Sequence, residues 1–537
     1  MPETTPDRGA LRVLQSGAIA IVLAAATYKL FELDRYFVPK ELALHLTALA
    51  AIIACLQGAR RLQLTRVESL FGVFLLLGII SAVLATNHWA AVRAIGITFS
   101  GLVILRAARA TSESGSRWPL LAVLTGAIVL ASVTSLLQAY GVTSDYFSLN
   151  RSPGGTFGNR NFVAHLVAIG APALLLLLVL AARAREMLAA SIGVAILAAA
   201  LVLSRSRAAM LAVLAASLVL ALGVWMAQRR WSDPRLARRY PLAAAFAAVG
   251  AAAAILVPNT LNWRSDSPYL DTVTGVVNYR EGSGHGRLVQ YGTSLKLAAQ
   301  HPLLGVGPGN WAVVYPRVAA KGDPSMDRDD GMTSNPWPSS DWIAMLAERG
   351  LPATLAFVLA LLGLVVLSLR AIRYALDLDE LLPPLTLLAT LAATIVVGCF
   401  DASLLLAAPT LFVFALLGAL SPPATTRVSI PLSTATARGL ALVGGVCAVA
   451  LLLSLRSVSQ LVAMGMFSSA NTVAAYDHAA TADPGSYRIQ MRIAELGAER
   501  ARCDLVRRHA MRAHDLFPAA PEPAHLLAGC GVRIKRR

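Results

Sequence analysis

Residues 162–182 read FVAHLVAIGAPALLLLLVLAA, residues 187–204 read MLAASIGVAILAAALVLS and residues 208–227 read AAMLAVLAASLVLALGVWMA, with no Asp, Glu, Lys or Arg in any of the three. Each is long enough for a helix to cross roughly 30 Å of hydrocarbon. The gaps of a few residues between them turn neighbouring helices back on one another. Working outward, about thirteen stretches of this kind follow one another along the chain. They lie at Leu14–Phe31, Glu41–Gln57, Ser69–Thr86, Ala90–Arg106, Trp118–Tyr140, Phe162–Ala182, Met187–Ser204, Ala208–Ala227, Pro241–Val257, Leu351–Arg370, Leu381–Cys399, Ala402–Leu420 and Ala437–Leu455. The first is followed closely by others and lacks a clear cleavage site, so it does not read as a removed signal peptide. The expected fold is an all-α polytopic membrane protein with membrane helices over 1–257 and 343–455, one large loop over 258–342, and a helical tail over 456–537.

Composition agrees. A chain of 537 residues that is 56% hydrophobic and 14% charged, with a mean hydropathy of +0.62, has more apolar surface than one soluble core hides. Its formal charge of +17 does not mark a nucleic-acid binder, because the arginines sit in short gaps between apolar runs and form no basic domain. The gaps with Arg60, Arg61 and Arg66, with Arg106, Arg109 and Arg117, with Arg183 and Arg185, with Arg229 to Arg239, and with Arg370 and Arg373 all fall on one side. By the positive-inside bias that side is cytoplasmic. The alternate gaps, Tyr140–Asn161, Ser204–Arg207, Pro258–Trp342 and the tail, are then expected in the periplasm of a bacterial inner-membrane protein.

Cys55, Cys399 and Cys447 stand singly in apolar stretches and read as inert. Cys503 and Cys530, in the tail, are either a disulfide or two buried thiols. In the same tail Asp483-Pro484 is echoed by Phe517-Pro518, a spacing of 34 residues. That is the period of a tetratricopeptide helix pair, and the segment reads either as a degenerate repeat able to meet a protein partner or as a plain helical hairpin.

The long loop contains an amphipathic segment, Arg287–His301, and then Pro302-Leu303-Leu304-Gly305-Val306-Gly307-Pro308-Gly309. Without a Gly-Lys-Ser/Thr ending or a preceding strand, these glycines are not a nucleotide loop. Other short motifs lie on the same predicted side. They are Gly155-Thr156-Phe157-Gly158-Asn159-Arg160-Asn161, then Ser206-Arg207-Ala208-Ala209, then Arg287-x-x-x-Tyr291 with His301-Pro302, and last Ser340-Asp341-Trp342-Ile343 with Glu348 and Gly350.

This ordered series, over roughly Trp118 to Leu420, resembles the O-antigen ligase and polymerase family. The resemblance implies transfer of a glycan from undecaprenyl pyrophosphate to an acceptor such as the lipid A core, with no nucleotide sugar, metal or other cofactor. Polymerisation of O-antigen or exopolysaccharide and glycosylation of protein share the architecture. A precursor transporter or flippase is the reading from another class, but the chain lacks the internal symmetry of carriers.

The resemblance points to Arg207 and Arg287 as the functional arginines. Guanidinium groups suit a pyrophosphate leaving group whose charge grows as the anomeric bond breaks. The bland alternatives are snorkelling for Arg207, with Arg205 the stronger snorkeller, and a solvated helix face for Arg287. Arg93 reads either as a third contact to the pyrophosphate or as structural. Asn159 and Asn161 either bind acceptor hydroxyls or shape a turn. Asp341 and Glu348, seven apart, share a helical face, with Asp341 placed to reach the site and Glu348 read as loop-positioning or as a buried partner of Arg349. One departure stands out: where family members carry a histidine two residues ahead of the aspartate, this chain has Ser339. Serine alone is no general base. Either His285 or Asp341 substitutes, or proton removal is not limiting, or the activity has changed.

Overall fold

The computed structural model describes residues 8–56, 61–263, 265–275, 282–327, 330–423, 427–431 and 437–534. Arg60 lies outside them. The chain runs α1 (Arg8–Leu23), α2 (Asp34–Leu56), β1 (Arg61–Thr65), α3 (Arg66–Val83), α4 (His88–Thr111), α5 (Arg117–Ala139), α6 (Arg160–Leu180), α7 (Ala184–Ser204), α8 (Arg207–Trp231) and α9 (Pro234–Leu256). The large loop holds α10 (Pro268–Thr274), α11 (Gly282–Gln300) and α12 (Trp311–Val314). Then come α13 (Asp341–Tyr374), α14 (Leu378–Phe400), α15 (Ala407–Leu420), β2 (Arg427–Pro431), α16 (Ala437–Ser469) and, in the tail, α17 (Val473–Ala482), α18 (Tyr487–Glu499), α19 (Cys503–Leu516) and α20 (Pro521–Gly529).

This is an all-α, multi-pass membrane protein. Among the described residues ten helical segments are long and apolar enough to cross a bilayer. The expectation of about thirteen differs for a local reason. One segment, His88–Ala139, is α4 and α5 run together through Ser112–Ser116, where Gly115 takes φ +88°. In addition α1 and α15 are only 16 and 14 residues long. Each apolar stretch of the sequence therefore forms its own helix.

The helices are not equal in surroundings. α6 and α14 are the most enclosed of the spans, whereas α9 and α16 leave most of their surface to lipid. Every residue of the short α15 is buried. Small residues bring backbones together: a Cβ on Gly250 of α9 would sit 2.0 Å from the Ala195 carbonyl oxygen of α7.

One end of the bundle carries Arg66, Arg106, Arg109, Arg117, Arg183, Arg185, Arg229, Arg230, Arg235, Arg370 and Arg373 at helix ends or turns. A two-stranded ribbon lies there too, with β1 antiparallel to β2 from Arg61 opposite Pro431 to Thr65 opposite Arg427. Hydropathy gave no sign of it. Thr65 closes β1 and caps α3, its hydroxyl accepting from Glu68 N–H at 3.2 Å while Glu68 accepts from Thr65 N–H at 2.7 Å.

The loop helices and the tail occupy the opposite end. Asn87 Nδ2 donates to the Leu516 carbonyl at 3.2 Å, and α17 and α18 bury Ala479, Ala480, Ile489 and Ile493 against Phe31, Val38 and Phe467. Pro484 and Pro518 follow the ends of α17 and α19.

Cys503 and Cys530 are joined in a disulfide across 27 residues, resolving the choice left open by the sequence. Loop-closure entropy makes this link worth about 3 to 4 kcal/mol to so small a unit. Cys503→Ser is therefore expected to release α20 to protease in the full-length protein while cleavage of the membrane helices stays unchanged. Equal protease resistance of α20 in the two proteins would refute that expectation.

Candidate active site

A cavity of 720 Å³ opens at the end of the bundle opposite the ribbon, between the loops and the ends of α6, α8, α11 and α14. Local chemistry builds each wall. Ahead of α6 the Gly154 and Gly155 amides donate to Gln138 Oε1 of α5 at 3.0 and 2.8 Å. Gly158 turns at φ +75° so close to Tyr36 that a Cβ would lie 2.4 Å from its ring. This glycine-bounded turn delivers Asn159, Arg160 and Asn161 to the cavity. Asn159 caps α6, its Oδ1 accepting from Asn161 N–H at 3.0 Å.

The second wall is the turn between α7 and α8. Arg205 sits in the left-handed region at φ +53°, donates from Nε to Thr272 Oγ1 at 2.9 Å, and lies 4.8 Å over the Trp263 ring. Arg160 lies 4.9 Å over the same ring. Arg205 is thus held in the site, which corrects its reading as a snorkeller. Arg207, the first residue of α8, donates to the Gly275 carbonyl and lines the cavity.

α11 supplies the third wall. Gln290 accepts from Ser339 N–H at 2.7 Å, and the Tyr291 hydroxyl donates to the Ser339 and Cys399 carbonyls at 2.7 and 2.8 Å. These bonds fix Ser339 and Arg287 on the same cavity. Deeper in the loop Trp311 Nε1 donates to Ser294 at 2.9 Å. Burial pushes the Tyr315 hydroxyl up to about 12, so it stays protonated and donates to Asp323 at 2.8 Å.

Arg207, Arg287, Asn159, Asn161 and Ser339, separated by up to 180 residues, therefore share one surface. The other sequence candidates do not reach it. Arg93 spans Glu41 and Asp34, at 2.8 and 2.9 Å. Asp341 is fully enclosed, its carboxylate accepting from Ser403 N–H at 3.1 Å and Leu404 N–H at 2.9 Å, and so ties the turn between α14 and α15 to the start of α13. Glu348 accepts from Gly309 N–H at 2.8 Å and Trp311 N–H at 3.1 Å. It is a loop-positioning residue, while Arg349 turns away to donate to Thr98 at 2.8 Å. The glycine-rich turn wraps this point of α13: Gly305 has φ +65°, and a Cβ there would meet the Glu348 backbone at 2.3 Å. His285 is exposed and outside the cavity lining. Two residues before Arg287 on one helix, it points roughly 200° away around the axis.

Sequence reasoning passed over Arg151, Arg160, Trp337, His165 and Asp401, all of which line the cavity. The available signal was a histidine inside α6, which carries no charged residue after Arg160, and an aspartate closing α14. His165 is 1% exposed, and its Nε2 is 4.0 Å from Asp401 Oδ2. In charge, five guanidinium groups, of Arg151, Arg160, Arg205, Arg207 and Arg287, face two carboxylates, of Glu32 and Asp401. Such a concave surface selects an anion. Among the described residues no group of three or more His, Cys, Asp and Glu is placed to hold a metal ion.

The stretch from within α7 to within α13, which carries the Arg207 turn, the α11 loop and Ser339, matches a known family model. Residues 192–358 match the model of the O-antigen ligase family. The match supports a glycosyltransferase of the ligase or polymerase type. The match includes Arg207, Arg287 and Ser339, and stops before Asp401 and the tail. No curated protein matches the chain.

Proposed function

We propose that the protein transfers a glycan from undecaprenyl pyrophosphate to an acceptor hydroxyl at the periplasmic surface of the bacterial inner membrane. The observation that carries this reading is the arginine-walled cavity built around the O-antigen ligase domain, at the bundle end away from the arginine-rich gaps. By the positive-inside bias the ribbon end is cytoplasmic and the cavity periplasmic, and the Cys503–Cys530 bond suits that compartment.

A polyprenyl carrier keeps its chain in lipid and offers its diphosphate at the surface, the depth at which helix ends place Arg160 and Arg207. As the bond from the anomeric carbon to the diphosphate oxygen lengthens, negative charge gathers on the leaving group. Preorganised guanidinium forks at Arg207 and Arg287 stabilise it more than they stabilise the bound donor, which is the condition for faster chemistry. Asn159 is committed to its helix cap, and Asn161 offers amide groups for sugar hydroxyls. Trp337, packed 5.3 Å from Phe37, supplies an aromatic wall on which a sugar ring can lie.

The acceptor named first is lipid A core, with a growing glycan or a protein as the other choices and the tail as the surface for a protein partner. The test is transfer from purified undecaprenyl-pyrophosphate glycan to O-antigen-free lipopolysaccharide by the full-length protein in detergent with EDTA present. A lipopolysaccharide product of higher mass is expected. Failure with this acceptor, with the donor alone and with candidate proteins would sink the reading.

A further inference from the structure

The cavity contains a buried titratable pair that the account of the donor leaves unused. Ser339 stands where the family histidine is missing, His285 faces outward, and both Asp341 oxygens are engaged with backbone amides. Glu32 and Asp401 are the carboxylates lining the cavity among the described residues. Glu32 is exposed on the loop between α1 and α2. Asp401 has 15% of its side chain exposed, enough to meet a substrate, and His165 lies behind it. Among the described residues neither ring nitrogen of His165 has a hydrogen-bond partner, and neither has appreciable solvent exposure. A buried imidazole without partners costs free energy unless something in the working cycle satisfies it.

We propose that Asp401 is the catalytic base of this chain and His165 its positioning residue, together doing the work the family assigns to the histidine absent at Ser339. The proposal rests on the glycan-transfer reading above. The acceptor oxygen forms a bond to the anomeric carbon, and the bond from that carbon to the diphosphate oxygen breaks with its electron pair leaving on undecaprenyl pyrophosphate. The acceptor proton passes to Asp401 Oδ2 and from there to water. Neutral His165 donates its Nε2 proton toward Asp401, holding the carboxylate in one orientation. Their 4.0 Å separation is about 1 Å beyond hydrogen-bond length, a gap of the kind that closes when substrate fills a site. The charged groups around the pair are Arg287 from α11, Arg207 from α8, Arg205 from the turn before it, Arg160 from the start of α6, Arg151 from the loop ahead of α6, Asp341 from the start of α13 and Glu32 across the cavity.

The experiment uses full-length protein in detergent, with the donor and the acceptor that the wild type accepts. It records kcat and donor KM against pH, with binding of undecaprenyl pyrophosphate as the check on folding. Asp401→Asn is expected to lower kcat by about 10²- to 10⁴-fold, the usual contribution of a general base, with binding and donor KM unchanged. His165→Leu removes the donor to the carboxylate and is expected to move the acid limb of the kcat profile to higher pH. His165→Gln keeps an N–H and restores the limb toward its wild-type position. Wild-type turnover in Asp401→Asn, or loss of turnover in Glu32→Gln with Asp401→Asn active, overturns the proposal. An unmoved acid limb in His165→Leu overturns the part given to His165. Silence of the wild type with every acceptor defeats the glycan-transfer reading itself, and this proposal with it.

Discussion

Arg287→Ala is expected to lower kcat/KM for glycan transfer by about 10²- to 10³-fold, the cost of removing one preorganised donor from a developing anion. The protein is expected to remain folded. Arg287 is half-buried on α11 and has no ion-pair partner among the described residues, so its loss leaves no buried charge uncompensated. Its wall is held by other groups, the Gln290 bond to Ser339 and the Tyr291 bonds to Ser339 and Cys399. Arg287→Lys keeps the charge but not the planar fork and is expected to fall between the two. Transfer kinetics with purified donor, set beside thermal unfolding in detergent, decide the matter. Activity near wild type in a folded Arg287→Ala protein would remove Arg287 from the diphosphate site.

Glu348→Ala carries the largest expected loss of stability. The carboxylate takes two amides, the buried one of Trp311 and the partly buried one of Gly309, and its removal strands both. At about 1–3 kcal/mol for each abandoned donor, the cost is roughly 2–6 kcal/mol. Glu348→Gln retains one acceptor oxygen and is expected to lose about half of that. Unfolding of the purified variants, together with protease sensitivity near Pro308, reads the effect. An unchanged unfolding transition in Glu348→Ala would show that the clasp is not what orders the loop.

Local patterning carried the membrane fold. Period and polarity marked every membrane helix between Leu14 and Leu455 because a lipid-solvated segment must be apolar throughout. The join between α4 and α5 was unmarked, since Ser112–Ser116 is polar like any turn. The β1–β2 ribbon pairs residues more than 360 apart and leaves no short-range trace. In the site, motif position pointed to Arg207, Arg287, Asn159, Asn161 and Ser339, which line one cavity, but could not say which way a side chain faces. Asp341 and Glu348 do share a helical face, and that face is turned to backbone amides. His285 stood two residues from Arg287 in sequence and on another side of the helix. His165 and Asp401 are 236 residues apart and meet because α6 and α14 pack side by side in the bundle.

The short α15 bears on how the protein tolerates its surroundings. Fourteen residues make a helix of about 21 Å at 1.5 Å per residue, shorter than the hydrocarbon layer. A helix bathed in lipid would answer such a mismatch by thinning the bilayer around it. α15 touches no lipid along its length, so membrane thickness places no demand on it. Its sequence answers instead to the packing of α4, α2, α5 and α6, as the interior of a soluble protein does. Bilayers of different thickness should therefore act on the lipid-facing α9 and α16, leaving the turn that carries Asp401, just ahead of α15, at a constant depth in the protein.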